Sequence, residues 1–324
     1  MIRKLLTIAS ASVLASYVYT KVKAKRSYPS FLFETMFRLS GMKKTFSSIE
    51  DAQVSLEKTK ATTKGEYEGT SYHFNNDVVV QTIDNSSVYV VNAQENRQQN
   101  VILYIHGGAW YQDPLKHHFE FIDLLASSMN AKVIMPIYPK VPHADYQQTF
   151  NLLMKIYKQI ITTVESAHQI TIMGDSAGGQ ISLSFAQYLK QAQLLQPSNI
   201  VLISPVLDAT FSNPEAPIYE KVDPMLGIEG SKFFTELWAN DLPLTDWRVS
   251  PINGDLEDLG HVTIVIGTKE TIYPDSLKLS QMLNRKNIKH DFIPGYNLFH
   301  IFPIFPIPER QQTIEQLKCI IGKY

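Results

Sequence analysis

A serine framed by glycines at the end of an apolar run is the feature of this chain best able to do chemistry: Ile170-Thr171-Ile172-Met173-Gly174-Asp175-Ser176-Ala177-Gly178-Gly179. Gly174, Gly178 and Gly179 allow a strand and a helix to meet closely around a sharp bend, which larger side chains would obstruct. A serine at the apex of that bend stands clear of its own backbone, next to helix N-terminal amides that favour negative charge. The run from Gln180 to Leu189 is helix-forming, so strand, turn and helix are predicted in the order a nucleophilic hydroxyl requires. Upstream, the apolar run Val101-Ile102-Leu103-Tyr104-Ile105 ends in His106-Gly107-Gly108-Ala109-Trp110. Backbone amides in such a turn can aim at an oxygen that becomes negative during acyl transfer without reorganising a side chain. Gly108 and Ala109, with Ala177 after the serine and Gly107 as a further participant, are the candidate oxyanion donors. His106 reads as a structural histidine that shapes the loop, because a better placed base lies downstream.

Taken together, His106-Gly107-Gly108-Ala109 and Gly174-Asp175-Ser176-Ala177-Gly178-Gly179 resemble the hormone-sensitive-lipase-like (α/β-hydrolase fold-3) branch of the α/β-hydrolases, from about residue 67 to the C-terminus. Most members of that branch are carboxylesterases, and they usually carry a third glycine where this chain has Ala109. The resemblance implies a triad in the order serine, acid, histidine. His261 to Glu270 is similar to the family's strand and Gly-x-x-Asp turn, with Glu270 in the Asp position, and Phe292 to Pro303 is similar to its terminal strand and histidine loop. Ser176 as nucleophile, His300 as base and Glu270 as its orienting acid follow from that resemblance, with Asp275 as a rival acid on the same loop. Chemically, the serine needs a base within hydrogen-bond reach, and the base needs a carboxylate to set its tautomer and stabilise the imidazolium.

The order of elements predicts an α/β fold with a mostly parallel central sheet and helices on both faces. Thr70 to Phe74, Val78 to Ile83 and Val88 to Asn92 read as short antiparallel strands, the last two separated by Asp84-Asn85-Ser86-Ser87. Strands at Val101 to Ile105, Lys132 to Tyr138, Ile170 onward and Ile200 to Ser204 alternate with helices near Lys116 to Met129 and Tyr146 to Val164. Their carboxyl ends are where Gly107, Ser176, Glu270 and His300 fall. Two windows break the alternation and are expected to form a helical cap, at about 27–60 and 208–250. The second carries the helical stripe Phe233, Phe234, Leu237 and Trp238. With Trp110 and Tyr111 beside the oxyanion loop, an apolar substrate pocket of moderate size is expected.

Composition narrows the function classes. With 324 residues, 44% hydrophobic and 19% charged, the chain can bury a large single-domain core. A net charge of −1 gives no reason to expect nucleic acid. One cysteine, Cys319, excludes an internal disulfide and a cysteine metal cluster, and its setting in Ile314 to Ile321 predicts a buried thiol on the final helix. His117 and His118 are adjacent and diverge on a helix, so surface or packing roles are expected for them. No cofactor or metal is implied, and the glycines of 174–179 do not form a dinucleotide fingerprint.

Residues 1–26 form a separate N-terminal apolar segment, anchor or signal-like, ahead of a hydrolase domain at 27–324. Arg3 and Lys4 precede an apolar run from Leu5 to Tyr19, and Lys21, Lys23, Lys25 and Arg26 follow. The run is shorter than the roughly twenty residues that span a bilayer. Membrane attachment or export is expected, with a cytoplasmic protein as the alternative. The reading is a serine carboxylic-ester hydrolase working through an acyl-enzyme on short- to medium-chain apolar esters. An arylformamidase-like amide hydrolase and a ligand-binding protein on a hydrolase scaffold stand as alternatives; the oligomeric state is left open.

Overall fold

The computed structural model describes residues 16–323. Eight strands form one sheet in the order β1-β2-β4-β3-β5-β6-β7-β8: β1 Val78–Ile83, β2 Ser86–Val91, β3 Val101–Ile105, β4 Lys132–Pro136, β5 Ile170–Asp175, β6 Asn199–Ile203, β7 His261–Gly267 and β8 His290–Gly295. The first two pairings, β1 with β2 and β2 with β4, are antiparallel, and all later ones are parallel. β3, β5 and β6 are buried along their whole length, as their continuous apolar sequences require of strands covered on both faces. Asp84 and Asn85 both take left-handed φ, so the β1–β2 turn is a two-residue hairpin and β2 begins at Ser86.

The expected strand at Thr70 to Phe74 is absent. That segment is pinned instead by Asp123, which accepts bonds from the Tyr72 hydroxyl and the Asn75 amide at 2.8 Å each, so its polar groups are satisfied without a neighbouring strand.

Helices α4 Lys116–Met129, α5 Tyr146–Thr163, α6 Ala177–Gln191, α9 Tyr273–Arg285 and α10 Pro308–Ile321 cover the sheet. On α10 the inward face is Thr313, Ile314, Leu317 and Ile320. Cys319 lies off that face and is exposed, which corrects the expectation of a buried thiol.

The two windows set aside as cap elements fold as α1 Tyr28–Ser40, α2 Lys44–Ser47 and α3 Ile49–Thr59, and as α7 Ala216–Glu220 and α8 Ile228–Ala239. α8 packs against α2 and α3 so tightly that a Cβ on Gly230 would sit 2.6 Å from the Phe46 Cα. Phe234 is buried in that contact, edge-on to Phe46, and Trp238 is buried against Trp110, while Phe233 and Leu237 are half-buried.

The N-terminal apolar segment lies in part, at residues 1–15, outside the described residues. Residues 16–22 are helical, and Ala24 and Arg26 are buried against the body. Arg26 pairs with the buried Glu34 of α1 and donates to the Asn297 carbonyl at 2.8 Å. Glu34 also receives Arg38 at 2.9 Å and Lys269 at 3.0 Å. The boundary drawn at residue 26 therefore falls inside a set of contacts, because the last residue of the segment, Arg26, compensates a buried carboxylate of the domain. Among the described residues, no helix is long and apolar enough to cross a membrane.

Candidate active site

The strand-to-helix bend between β5 and α6 puts Ser176 in a conformation with φ 54° and ψ −117°, outside the regions ordinary residues favour. Small residues make the bend buildable: a Cβ on Gly178 would lie 1.9 Å from the Ile105 carbonyl oxygen of β3. Ser176 Oγ is 2.9 Å from His300 Nε2, and His300 Nδ1 is 2.7 Å from Glu270 Oε2. The other Glu270 oxygen accepts from the Gly267 amide at 2.5 Å and from Ser204 Oγ at 2.7 Å. Ser204, at the end of β6, also accepts from the Ile301 amide at 3.0 Å, so one hydroxyl joins the acid to the turn that carries His300.

All of these groups are buried, and their ionisation follows from that. Burial raises the Glu270 pKa above the ordinary carboxylate value, opposed by the neighbouring imidazole. For His300, burial acts to lower the pKa, but the Glu270 carboxylate outweighs it and holds the imidazole above its ordinary value. Asp275, the rival acid, accepts from Asn213 Nδ2 at 2.7 Å and has no bond to His300. Burial raises its pKa as well.

The candidate oxyanion loop departs from expectation at one donor. The Gly107 amide donates to Asp175 Oδ1 at 3.0 Å, so it is spent on holding the loop. Among the described residues, the amides of Gly108, Ala109 and Ala177 donate to no protein acceptor. Gly108, Ala109 and Trp110 have φ of 122°, 48° and 62°, a run of left-handed backbone that turns successive amides to one side. His106 lies under this loop with Nδ1 donating to the Gly107 carbonyl at 2.6 Å and its ring stacked on Tyr138 at 4.5 Å. Burial pushes its pKa well down, and it remains the neutral structural group expected of it.

Sequence reasoning missed the groups that hold this loop. Asp175, the residue before Ser176, accepts from Tyr104 Oη at 2.6 Å and from His118 Nε2 at 3.1 Å as well as from Gly107. The Leu115 amide donates to His118 Nδ1 at 2.8 Å, which leaves the proton of a neutral imidazole on Nε2, facing Asp175. Burial alone would raise the Asp175 pKa; its partners, led by His118, hold it below the ordinary value. The signal available in sequence was the carboxylate directly before the serine. His118 gave none, since its neighbour His117 faces Glu120 at the surface.

These groups open into a cavity of about 340 Å³ lined by Ser176, His300, Gly108, Ala109 and Trp110 together with Ser40, Met42, Thr45 and Phe46 from the first cap window and Phe211, Met225, Leu226 and Ser231 from the second. Trp110 lines the cavity, with its indole nitrogen donating to Gln180 Oε1 at 3.0 Å. Tyr111 does not line it, contrary to expectation. It is buried with its ring stacked on Phe234 at 4.1 Å and its hydroxyl 2.8 Å from Ser55 Oγ, so it fastens the cap windows to the oxyanion loop. Among the described residues, no group of three or more His, Cys, Asp or Glu side chains is placed to hold a metal ion.

A family model of the alpha/beta hydrolase fold matches residues 102–304, more than half of the chain. An esterase of Acinetobacter venetianus is 29% identical over 233 residues, covering 70% of this chain and 76% of its own. Among solved structures, a candidate esterase from Staphylococcus aureus is 31% identical, with a TM-score of 0.81 over 86% of this chain and 94% of that one. The fold is also that of an esterase from the bacterial hormone-sensitive lipase family, at a TM-score of 0.78 and 18% identity over 92% and 98% of the two chains.

Proposed function

The chain belongs to the α/β-hydrolase fold family, and from that membership we propose that it is a carboxylesterase-type serine hydrolase acting on small-molecule esters through an acyl-enzyme. The observation that carries this reading is the bonded series Ser176 Oγ, His300 Nε2, His300 Nδ1 and Glu270 Oε2, at 2.9 Å and 2.7 Å, opening into a largely apolar cavity.

In this reading Ser176 Oγ attacks the ester carbonyl carbon as its proton passes to His300 Nε2, and Glu270 stabilises the resulting imidazolium. The carbonyl electron pair moves onto oxygen, where the amides of Gly108, Ala109 and Ala177 receive it. Collapse breaks the bond to the alcohol, which leaves with the proton held by His300. Water then repeats the sequence on the acyl-serine, losing its proton to His300 and releasing the carboxylic acid and free Ser176. Met42, Phe46, Phe211, Met225 and Leu226 surround the reacting position with apolar surface, which supports short- to medium-chain acyl or alcohol groups as substrates.

Attachment of the N-terminal segment to a membrane is part of the same proposal. Tyr17, Val18, Tyr19 and Val22 are exposed beside Lys21, Lys23 and Lys25, a combination suited to an interface with anionic lipid.

A panel of aryl esters of rising acyl length, run with a formamide substrate, tests the reaction class. Ester turnover with an optimum at short or medium chains supports it; preferential formamide cleavage, or binding without turnover, overturns it.

A further inference from the structure

Asp113, four residues beyond Ala109 of the oxyanion loop, lines the cavity into which Ser176 and His300 open. Its Oδ1 is 2.8 Å from Lys140 Nζ, and Lys140 donates as well to the Tyr138 carbonyl at 3.1 Å. The pair is lopsided: the Asp113 side chain is 26% exposed and that of Lys140 only 5%. The ammonium is thus sealed in the wall, and of the two side chains only Asp113 lines the cavity into which Ser176 opens. Behind it lies a second cavity of about 170 Å³, which Asp113 and Lys140 line together with Thr62, Asn85 and His143. Among the described residues, no donor is bonded to Asp113 Oδ2.

An acceptor with open lone pairs, in the wall of a cavity also lined by Met42, Phe46, Trp110 and Leu226, discriminates between ligands. A hydrocarbon ester filling the cavity strips water from that oxygen and returns nothing, which costs affinity. A substrate hydroxyl restores the lost bond. Because Lys140 already balances the charge, a neutral O–H donor suffices.

We propose that Asp113 is a specificity-determining residue that accepts a hydrogen bond from a substrate hydroxyl, so that the enzyme selects hydroxylated esters over plain hydrocarbon esters of the same size. The proposal rests on the esterase reading above and refines its substrate class. The hydroxyl has two sources, a polyol leaving alcohol or a hydroxyacyl chain, and the chemistry at Asp113 Oδ2 is the same for both.

The test compares kcat/KM within two pairs, glyceryl monobutyrate against ethyl butyrate and ethyl 3-hydroxybutyrate against ethyl butyrate, for the wild-type enzyme and Asp113→Asn. Asparagine keeps an oxygen for Lys140 and replaces the open acceptor with an NH₂ donor at nearly the same volume. Wild type is expected to favour the hydroxylated member of at least one pair, and the pair identifies the source. Asp113→Asn is expected to lose about tenfold of that preference, and any effect common to both esters cancels in the ratio. No wild-type preference in either pair, or a preference that survives in Asp113→Asn, overturns the proposal. If melting shows that Asp113→Asn does not fold, the double variant Asp113→Leu/Lys140→Met, which removes both charges of the buried pair, takes its place. Failure to hydrolyse ethyl butyrate at all sinks the esterase reading itself, whereas equal hydrolysis within each pair sinks only the selection by Asp113.

Discussion

The Gly107 amide donates to Asp175 Oδ1 at 3.0 Å, tying the glycine loop after β3 to the residue directly before Ser176 on β5. The two strands are neighbours in register, with Ile105 opposite Gly174, so the bond spans the shortest path between the loop and the bend. His118 and Tyr104 complete the coordination of the same carboxylate from α4 and β3. A buried anion with three donors is a rigid point, and here it sets where the free amides of Gly108 and Ala109 stand relative to Ser176.

Loosening that point should act on turnover. Asp175→Ala is expected to lower kcat by about a hundredfold, the order of loss that follows a displacement of about 1 Å in reacting groups, with a much smaller change in KM. Steady-state kinetics on a short aryl ester measure both. An equal fall in binding and turnover, or none in either, would show that the clamp does not position the donors.

Ser176→Ala should remove nearly all ester turnover while the protein keeps its melting behaviour. Losing such a nucleophile costs on the order of a millionfold in kcat. Undiminished hydrolysis by the folded variant would place the nucleophile elsewhere.

Glu270 and Asp275 are separated by their amides. Glu270→Gln should reduce kcat by about ten-thousandfold, because the imidazole loses its orienting charge and takes the wrong tautomer. Asp275→Asn should be mild, since its bonded partner is Asn213. The reverse ranking would exchange the two roles.

The pH profile carries the sign of the His300 shift. His300 accepts a proton only when neutral, and Glu270 raises its pKa above the ordinary histidine value. Activity should therefore be full on the alkaline side and fall as the pH drops through that raised pKa. In Glu270→Gln the residual activity should extend to lower pH, as the stabilising charge is gone. An acid limb in kcat/KM that stays put in the variant would assign it to another group.

Arg26 makes a stability prediction. Arg26→Ala leaves Glu34 with Arg38 and Lys269 but without its buried partner. The melting temperature should fall by about 2–4 °C, corresponding to about 1 kcal/mol in a domain of this size. Removing residues 1–22 should lower it by less, since that stretch buries Thr20 and sets Tyr17 against Tyr28 but carries no partner of Glu34. A larger loss from the truncation than from Arg26→Ala would mean that the apolar segment, rather than the arginine, holds the N-terminus to the body.

The elements that carry the site were legible because each writes its constraint locally. The bend around Ser176 needs glycines and small residues within five positions, and β3, β5 and β6 need unbroken apolar runs. Helices at 116–129 and 146–163 declare their spacing over several turns. Thr70 to Phe74 misled because alternating apolar residues describe a strand only if a partner strand is free. Here Asp123, about fifty positions away, supplies the bonds instead. Tyr111 and Cys319 misled in the same way: an aromatic beside a catalytic loop and a cysteine among apolar residues do not reveal which direction the side chain takes. Helix phase turns Cys319 outward, and a stacked contact with Phe234 turns Tyr111 into the cap.

By itself, then, the sequence determined the fold class and the strand, turn and helix around Ser176, because short-range sterics and the fixed order of elements speak through neighbouring residues; Ser176, Glu270 and His300 were candidates there through a family resemblance, and the structure brings the three within hydrogen-bond reach. Tertiary structure alone decided that Gly107 is a clamped amide, that His118 faces Asp175, that Ser204 joins Glu270 to the His300 turn, and that Asp113 lines the cavity of Ser176. Each of those is a bond or approach between residues on different elements, and its existence depends on distances of a few tenths of an ångström, which the packing of the whole sheet sets and no local pattern encodes.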